Sequence, residues 1–296
     1  MKNIGYSIII PAFNEEKGIK SVLVNLDKIL NNFEQQYEII IVNDCSTDRT
    51  KEIVISLKFP VVLIDHLNNM GYGAAIKTGI KKAIYKHIVI TDADGTYPNE
   101  RIPDLIKTFE EGEFDMVVGS RTGENVKIPF VRKPAKWTIG KLANWVTGMV
   151  IPDINSGLRV FKKSSFSPFI NIVPDGFSFT TTITIGMLSG GYKVKFIPID
   201  YLHRLGKSKI RPIRDILNFI KLILKIGLYF APLKIFLPLS VGIFMFAIGW
   251  AVFSLFFLDK LADVSFIIIA MTSFQLAALA LLAELINHRF PNRYMK

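Results

Sequence analysis

Apolar and polar positions alternate in two distinct ways along this chain. From residue 5 to about 120, short β-branched runs are separated by stretches with helical spacing. Tyr6–Ile10, Tyr37–Val42 (YEIIIV), Val61–Asp65, Ile88–Thr91 and Met116–Gly119 read as buried strands. Helical patterns fill the intervals from Glu15 to about Phe33, from the NDCSTD turn to about Leu57, and from NNMGYGAA to about Ala83. Strands alternating with helices of this length imply βαβ units, a parallel sheet and helices on both faces. On such sheets, ligands bind beyond the carboxyl ends of the strands. PAFNEE, NDCSTD, NNMGYGAA, DADGTYP and GSR all lie at such ends, so these turns are expected to form one site. Asp153–Phe161 (DINSGLRVF) reads by pattern alone as a turn plus an edge strand, and Lys193–Ile199 as a last strand.

The second regime begins near residue 210. Arg211, Arg214, Asn218, Lys221 and Lys225 step by three or four through Ile210–Leu228 and make one polar stripe on an apolar helix. Such a helix lies in a membrane interface. Ile235–Leu258 then runs 24 residues without a charge and Val264–Ala283 runs 20, each long enough to span roughly 30 Å of hydrocarbon. The acidic linker DKLAD makes them a hairpin, and the basic residues on both flanks place the α/β part in the cytoplasm. The expected organisation is a catalytic domain over 1–209, amphipathic juxtamembrane helices over 210–232, and two transmembrane helices within 233–290, at about 235–258 and 264–287. Lys136–Val150 is a further amphipathic stretch with Trp137 and Trp145 as interfacial aromatics, following a basic, proline-broken loop at Val126–Pro134.

Composition sharpens this picture. Half of the 296 residues are hydrophobic and mean hydropathy is +0.34, too apolar for a purely soluble protein. The net charge of +11 suits anionic lipid, nucleic acid or an anionic substrate. The basic residues crowd beside the membrane elements, which argues against a nucleic-acid binder. Cys45 is the only cysteine, so an intrachain disulfide and a cysteine zinc cage are excluded. The first 15 residues hold Pro11, Asn14 and Glu15, unlike a secretory signal peptide. The localisation expected is a cell (inner) membrane, multi-pass.

Chemistry concentrates at IVITDADGTYP. Asp92 and Asp94 stand one residue apart on a turn, so their carboxylates can converge on one hard divalent cation that keeps positions open for phosphate oxygens. An Asx-rich turn without metal is the competing reading. Gly71-Tyr-Gly73 half-matches a dinucleotide fingerprint, but Ile76 stands where the third glycine belongs and the motif follows the third strand. The two glycines before a helix N-terminus remain a place to meet a phosphate or ribose through backbone N–H groups.

SIIIPAFNEE, VNDCSTD, NNMGYGAA, DADGTYP, VGSR and INSGLRVF together resemble, in order and spacing, family-2 glycosyltransferases with the GT-A nucleotide-sugar fold. Within that family the chain is similar to polyprenyl- and dolichyl-phosphate sugar synthases over roughly residues 5 to 230. The resemblance implies an α/β, Rossmann-like, mostly parallel sheet with a C-terminal two-helix transmembrane hairpin. It implies that Pro11, Ala12, Asn14 and Glu15 line the nucleotide pocket, that Asp44 contacts base or ribose, and that Gly71 and Gly73 approach the nucleotide. Asp92 and Asp94 become the metal-binding pair for Mg²⁺ or Mn²⁺, and Ser156 and Gly157 lie on the acceptor side. HRLGKSKI resembles a family element through Arg204, Gly206, Ser208 and Lys209. Thr96 replaces a glutamine common in mannosyl members, which tilts the donor toward a UDP-sugar with GDP-mannose close behind. Thr180 to Thr182 stand where related enzymes often carry acidic residues, so no general base is assumed there.

The expected partners are a nucleotide sugar, a polyprenyl phosphate and the bilayer, and homo-oligomerisation is compatible with the sequence. Metal at the aspartates would neutralise the departing diphosphate, while Arg121, Arg204 and Lys209 position and screen an acceptor phosphate that is already ionised. In-line attack would invert the anomeric centre. A processive polysaccharide synthase would need more spanning helices and a QxxRW motif, and neither is present. A non-catalytic scaffold would have no need of an intact Asp92 and Asp94.

Overall fold

The apolar runs form the strands expected of them, with one reversal of direction that the pattern did not reveal. The structure, a computed structural model, describes residues 5–31, 33–123, 133–176, 178–202, 221, 223–225, 227–229, 231–257 and 263–289. The chain divides into two compact units, Met1–Leu222 and Ile223–Lys296.

In the first unit, β1 (Gly5–Ala12), β2 (Gln36–Asn43), β3 (Val61–Asp65) and β4 (His87–Ile90) alternate with α1 (Ile19–Leu30), α2 (Thr50–Ser56) and α3 (Tyr72–Lys82). After α4 (Ile102–Glu111) come β5 (Met116–Ser120), α5 (Lys133–Thr147), β6 (Arg159–Lys162), the one-turn α6 (Lys163–Phe166), α7 (Phe179–Ser189) and β7 (Val194–Pro198). They make one seven-stranded sheet in the order β3-β2-β1-β4-β6-β5-β7. β1 is buried at every residue. Its period-2 alternation serves both faces. Ile8 and Ile10 join the cluster with Ile19, Val22 and Leu26 of α1 and Leu105 and Ile106 of α4. Ile9 points the other way, against α3, where a Cβ on Gly79 would lie 2.5 Å from its Cγ2.

β6 departs from expectation. The pattern made Asp153–Phe161 a turn and an edge strand, yet β6 is interior and runs antiparallel to both β4 and β5. Arg159 pairs with Ile90 on one side and Val118 on the other. A reversed strand starts at the end of the sheet where its neighbours finish. The Asp153–Gly157 turn is therefore delivered to the carboxyl ends of β4 and β5, beside Asp92.

In the second unit, α8 (Pro232–Phe257) and α9 (Asp263–Arg289) pair through reciprocal bonds, Ser240 Oγ to Ser273 O and Ser273 Oγ to Ser240 O, both 2.9 Å. Both helices are long and apolar enough to cross a membrane, and few of their residues are buried. At 1.5 Å per residue, the 26 residues of α8 extend about 39 Å. The amphipathic stretch at 210–228 falls for the most part outside the described residues.

Candidate active site

The turn after β4 is built around its two aspartates. Gly95, at φ +74°, takes the left-handed conformation that reverses the chain. Asp94 is 8% exposed, and its Oδ1 accepts from Thr96 N at 3.0 Å and Thr96 Oγ1 at 2.6 Å. Thr96 thus orients Asp94. Asp92 is half-buried, and its Oδ1 accepts from the Tyr72 hydroxyl at 2.9 Å. Two glycines bring backbone up to this turn. A Cβ on Gly18 would lie 2.6 Å from Ala93 O, and one on Gly157 would lie 2.9 Å from both Asp92 oxygens. Two carboxylates on a tight turn are the hard-oxygen donor set Mg²⁺ or Mn²⁺ prefers, so the residues fit such an ion. Among the described residues no third His, Cys, Asp or Glu joins them, and the remaining positions would fall to phosphate oxygens and water.

The first two turns interlock. Pro11 and Ala12 end β1 beside Val42 and Asn43 of β2, and Ala12 O accepts from Asp44 N at 2.8 Å. Asn14, at φ +55°, accepts from Thr47 N at 2.8 Å and donates its own N–H to Ser46 Oγ at 3.0 Å. Glu15 N donates to Thr50 Oγ1 at 2.9 Å. Asp48 accepts from Thr50 Oγ1, Glu16 N and Thr50 N, and although burial opposes it, these bonds hold its carboxyl below the usual range. The predicted pocket residues Pro11, Ala12, Asn14 and Glu15 are thus gathered at one edge.

Asp44, Gly71 and Gly73 each meet other parts of the chain. Asp44 is 3% exposed and both of its oxygens accept from the chain: Met70 N and Gly71 N at 2.8 Å, and His66 Nδ1 at 2.7 Å. His66 Nε2 meets Thr78 Oγ1 at 2.9 Å. A nucleotide contact to Asp44 would be left with its remaining lone pairs. The glycines make room for protein. A Cβ on Gly71 would lie 2.6 Å from Asp175 O, and one on Gly73 2.2 Å from Pro174 O. Ala74 N donates to Asp175 O at 3.0 Å. At the helix N-terminus expected to meet a phosphate or ribose, the 174–176 segment lies against both glycines and takes the Ala74 N–H.

On the other side, Arg121 grips Asp153 with a fork: Nε to Oδ2 at 2.7 Å, Nη2 to Oδ1 at 2.9 Å, and its own N–H to Oδ2 at 3.0 Å. Its guanidinium also lies 5.2 Å over the Tyr201 ring. Burial opposes charge on both partners, but Arg121 holds the Asp153 carboxyl below its ordinary range. Arg121 was expected to offer a cation for charge screening; it offers an ion pair. Ser156, expected to bind substrate, is fully buried and its hydroxyl donates to Gly119 O at 2.5 Å. Gly157 keeps its place, with its N–H donating to Tyr97 Oη at 2.6 Å and its Cα against Asp92. Arg204 and Lys209 lie outside the described residues.

Sequence reasoning missed three residues here. Arg159 is 0% exposed and donates to Ser156 O, Thr180 O and Thr184 Oγ1. Burial pulls its pKa down to about 10, opposed by Tyr72, Tyr97, Asp153 and Asp92, so it is a cation beneath the site at neutral pH. A charged residue inside the apolar run Leu158–Phe161 was the available signal. Tyr72 was hidden between the two glycines that drew attention to its motif. His66 had no local signal, since its partners come from the turn after β2 and from α3.

The family model for glycosyl transferase family 2 matches residues 7–168. Among curated proteins, the dolichyl-phosphate hexose transferase of Haloferax volcanii is 28% identical over 207 residues, which is 70% of this chain and 86% of that one. The dolichol-phosphate mannosyltransferase of Pyrococcus furiosus is 32% identical over 218 residues, 69% of this chain and 59% of that one. Among solved structures, glucosyl-3-phosphoglycerate synthase of Mycobacterium tuberculosis, in complex with Mn²⁺, UDP-glucose and phosphoglyceric acid, superposes with a TM-score of 0.58 at 19% identity, over 76% of this chain and 80% of that one.

Proposed function

Starting from the fact that the chain belongs to glycosyl transferase family 2, we propose that it moves a hexose from a nucleotide-diphosphate sugar, a UDP-sugar before GDP-mannose, to a polyprenyl phosphate, with inversion. Its catalytic unit would lie on the cytoplasmic face of a cell membrane, held there by α8 and α9 as spanning helices. The names of the archaeal relatives support the acceptor class. The nucleotide and ion bound by the mycobacterial enzyme support the donor class and the metal.

One observation carries the acceptor. A hydroxyl acceptor needs a general base, whereas a phosphate monoester is already ionised at neutral pH, with a second pKa of about 6. The first turn of α7 presents Thr180, Thr181 and Thr182, all buried, and Thr180 and Thr181 donate to Asn155 Oδ1 at 2.5 and 3.4 Å. Threonine hydroxyls do not serve as bases near neutral pH. Asp153, two residues before Asn155, is kept too acidic by Arg121 to take a proton. An anionic acceptor needs neither.

In this reading Asp92 and Asp94 hold Mg²⁺ or Mn²⁺, which supplies charge neutralisation on the departing diphosphate. Thr96 fixes Asp94, the Arg121–Asp153 pair holds the turn before β6, and Gly157 keeps that turn close to Asp92. Pro11, Ala12, Asn14 and Glu15 line the nucleotide. Arg204 and Lys209 meet the acceptor phosphate, each through charge-assisted bonds worth about 1.5–3 kcal/mol. The test incubates membranes containing the protein with radiolabelled UDP- and GDP-sugars and a polyprenyl phosphate, then extracts lipid. Label should enter the lipid from one donor, and Lys209→Ala or Arg204→Ala should lower transfer roughly tenfold to a hundredfold with donor affinity kept. Label recovered only in polymer, or none in lipid from any donor, would overturn the reading.

A further inference from the structure

We infer that Tyr72 is a positioning residue for the metal-binding pair: its phenol sets the orientation of the Asp92 carboxylate, and the glycines on either side of it exist to hold it there. The inference rests on the reading of Asp92 as a metal ligand.

The backbone at 71–73 is fixed from two directions. From below, Asp44 accepts from Met70 N and Gly71 N, and His66 backs Asp44 while reaching Thr78 on α3. From above, the 174–176 segment packs onto Gly71 and Gly73 at distances that no Cβ tolerates, and Asp175 O takes the Ala74 N–H. Gly71, at φ +99°, supplies the left-handed turn that launches α3. Tyr72 is the first residue of that helix, and its hydroxyl reaches across to Asp92 Oδ1 at 2.9 Å.

Asp92 lies just past β4 on a turn, where rotation about its last side-chain bond is broad and two-fold. An ionised carboxylate only accepts, so the phenol is the donor. That bond fixes one oxygen. Gly157 stands on the carboxylate with room for no side chain, and is itself anchored through Tyr97 Oη and, by way of the Ser156 carbonyl, Arg159. Phenol and glycine together restrict the plane of the carboxylate and hence the direction in which it offers lone pairs. Partners of this kind, which orient a ligand without touching the ion, are worth 10- to 100-fold in metal affinity or activity.

This assigns the Gly71-Tyr-Gly73 segment a role distinct from phosphate binding. Tyr72→Phe removes one oxygen and keeps the ring, and Tyr72→Met serves if the phenylalanine variant does not fold. Purified full-length protein is titrated with Mn²⁺ in saturating UDP, with free Mn²⁺ followed by electron paramagnetic resonance. UDP binding in EDTA is measured by calorimetry, and thermal melting checks the fold. The expected result is a loss of Mn²⁺ affinity of about 10- to 100-fold, with metal-free UDP affinity changed by less than about threefold. Unchanged Mn²⁺ affinity in a folded variant would overturn the inference while leaving the metal reading intact. An equal loss of metal-free UDP binding would also overturn it, by making Tyr72 part of the nucleotide pocket. Wild-type protein that binds no Mn²⁺ with UDP would remove the metal reading and this inference together.

Discussion

Gly73→Ala separates the two explanations of the Gly71-Tyr-Gly73 segment. Gly73 has no left-handed φ, so alanine meets no backbone strain there. The obstacle is the neighbouring chain. The added Cβ would sit 2.2 Å from Pro174 O and 3.0 Å from Asp175 C, where ordinary contact begins at 3.4 Å. The 174–176 backbone would have to retreat by about 1 Å, and the Ala74 N to Asp175 O bond, now 3.0 Å, would stretch out of range. Forced overpacking costs about 1–3 kcal/mol and the lost bond about 0.5–1.5 kcal/mol. Better helix propensity returns up to about 1 kcal/mol. With that return the net cost is about 0.5–3.5 kcal/mol, which at about 2–4 °C per kcal/mol for a unit of this size lowers the melting temperature by roughly 1–14 °C. The assay is thermal unfolding of the detergent-solubilised chain, with UDP affinity by calorimetry. The packing argument expects a lower melting temperature and UDP affinity within about threefold of wild type. An unchanged melting temperature with UDP affinity reduced tenfold would refute it and return Gly73 to the nucleotide.

Two further outcomes follow from the same geometry. Asp94→Asn keeps an oxygen for Thr96 and should fold, yet turnover should fall at least about 100-fold, and EDTA should inhibit the wild type until Mg²⁺ or Mn²⁺ is restored; full activity after dialysis against EDTA would contradict the metal assignment. His87 is enclosed by Tyr6 and Phe109, its Nδ1 has no hydrogen-bond partner, and burial, aided by Lys162 and Lys86 against Glu110, pushes its pKa below the ordinary value. Below about pH 6.5 the unfolded chain therefore takes up a proton that the folded chain refuses, so stability falls as pH drops through that value. Melting curves from pH 7.5 to 5.5 should be flatter in His87→Phe, and parallel curves for variant and wild type would contradict the assignment.

Local features of the sequence determined a large part of this protein. The β-branched runs specified where strands lie, because burial on both faces of a parallel sheet requires continuous apolar residues. Asp92 and Asp94 were legible as two carboxylates sharing one turn, because they stand at i and i+2 and Gly95 follows them. The two long uncharged runs became the paired helices α8 and α9, since length and composition alone set that outcome. The direction of β6 was not legible, because an apolar run of four residues has the same period whichever way it pairs. The buried Ser156 and the buried cation Arg159 both follow from that reversal. Nor was the packing over the glycines legible: Gly73 has no room for a Cβ because Pro174, about a hundred residues further on, passes over it. The sequence names a residue and its period, but what that residue touches depends on which distant segments pack against it. At Gly71, Tyr72 and Gly73 that packing brings the 174–176 backbone onto both glycines and the Tyr72 hydroxyl onto Asp92.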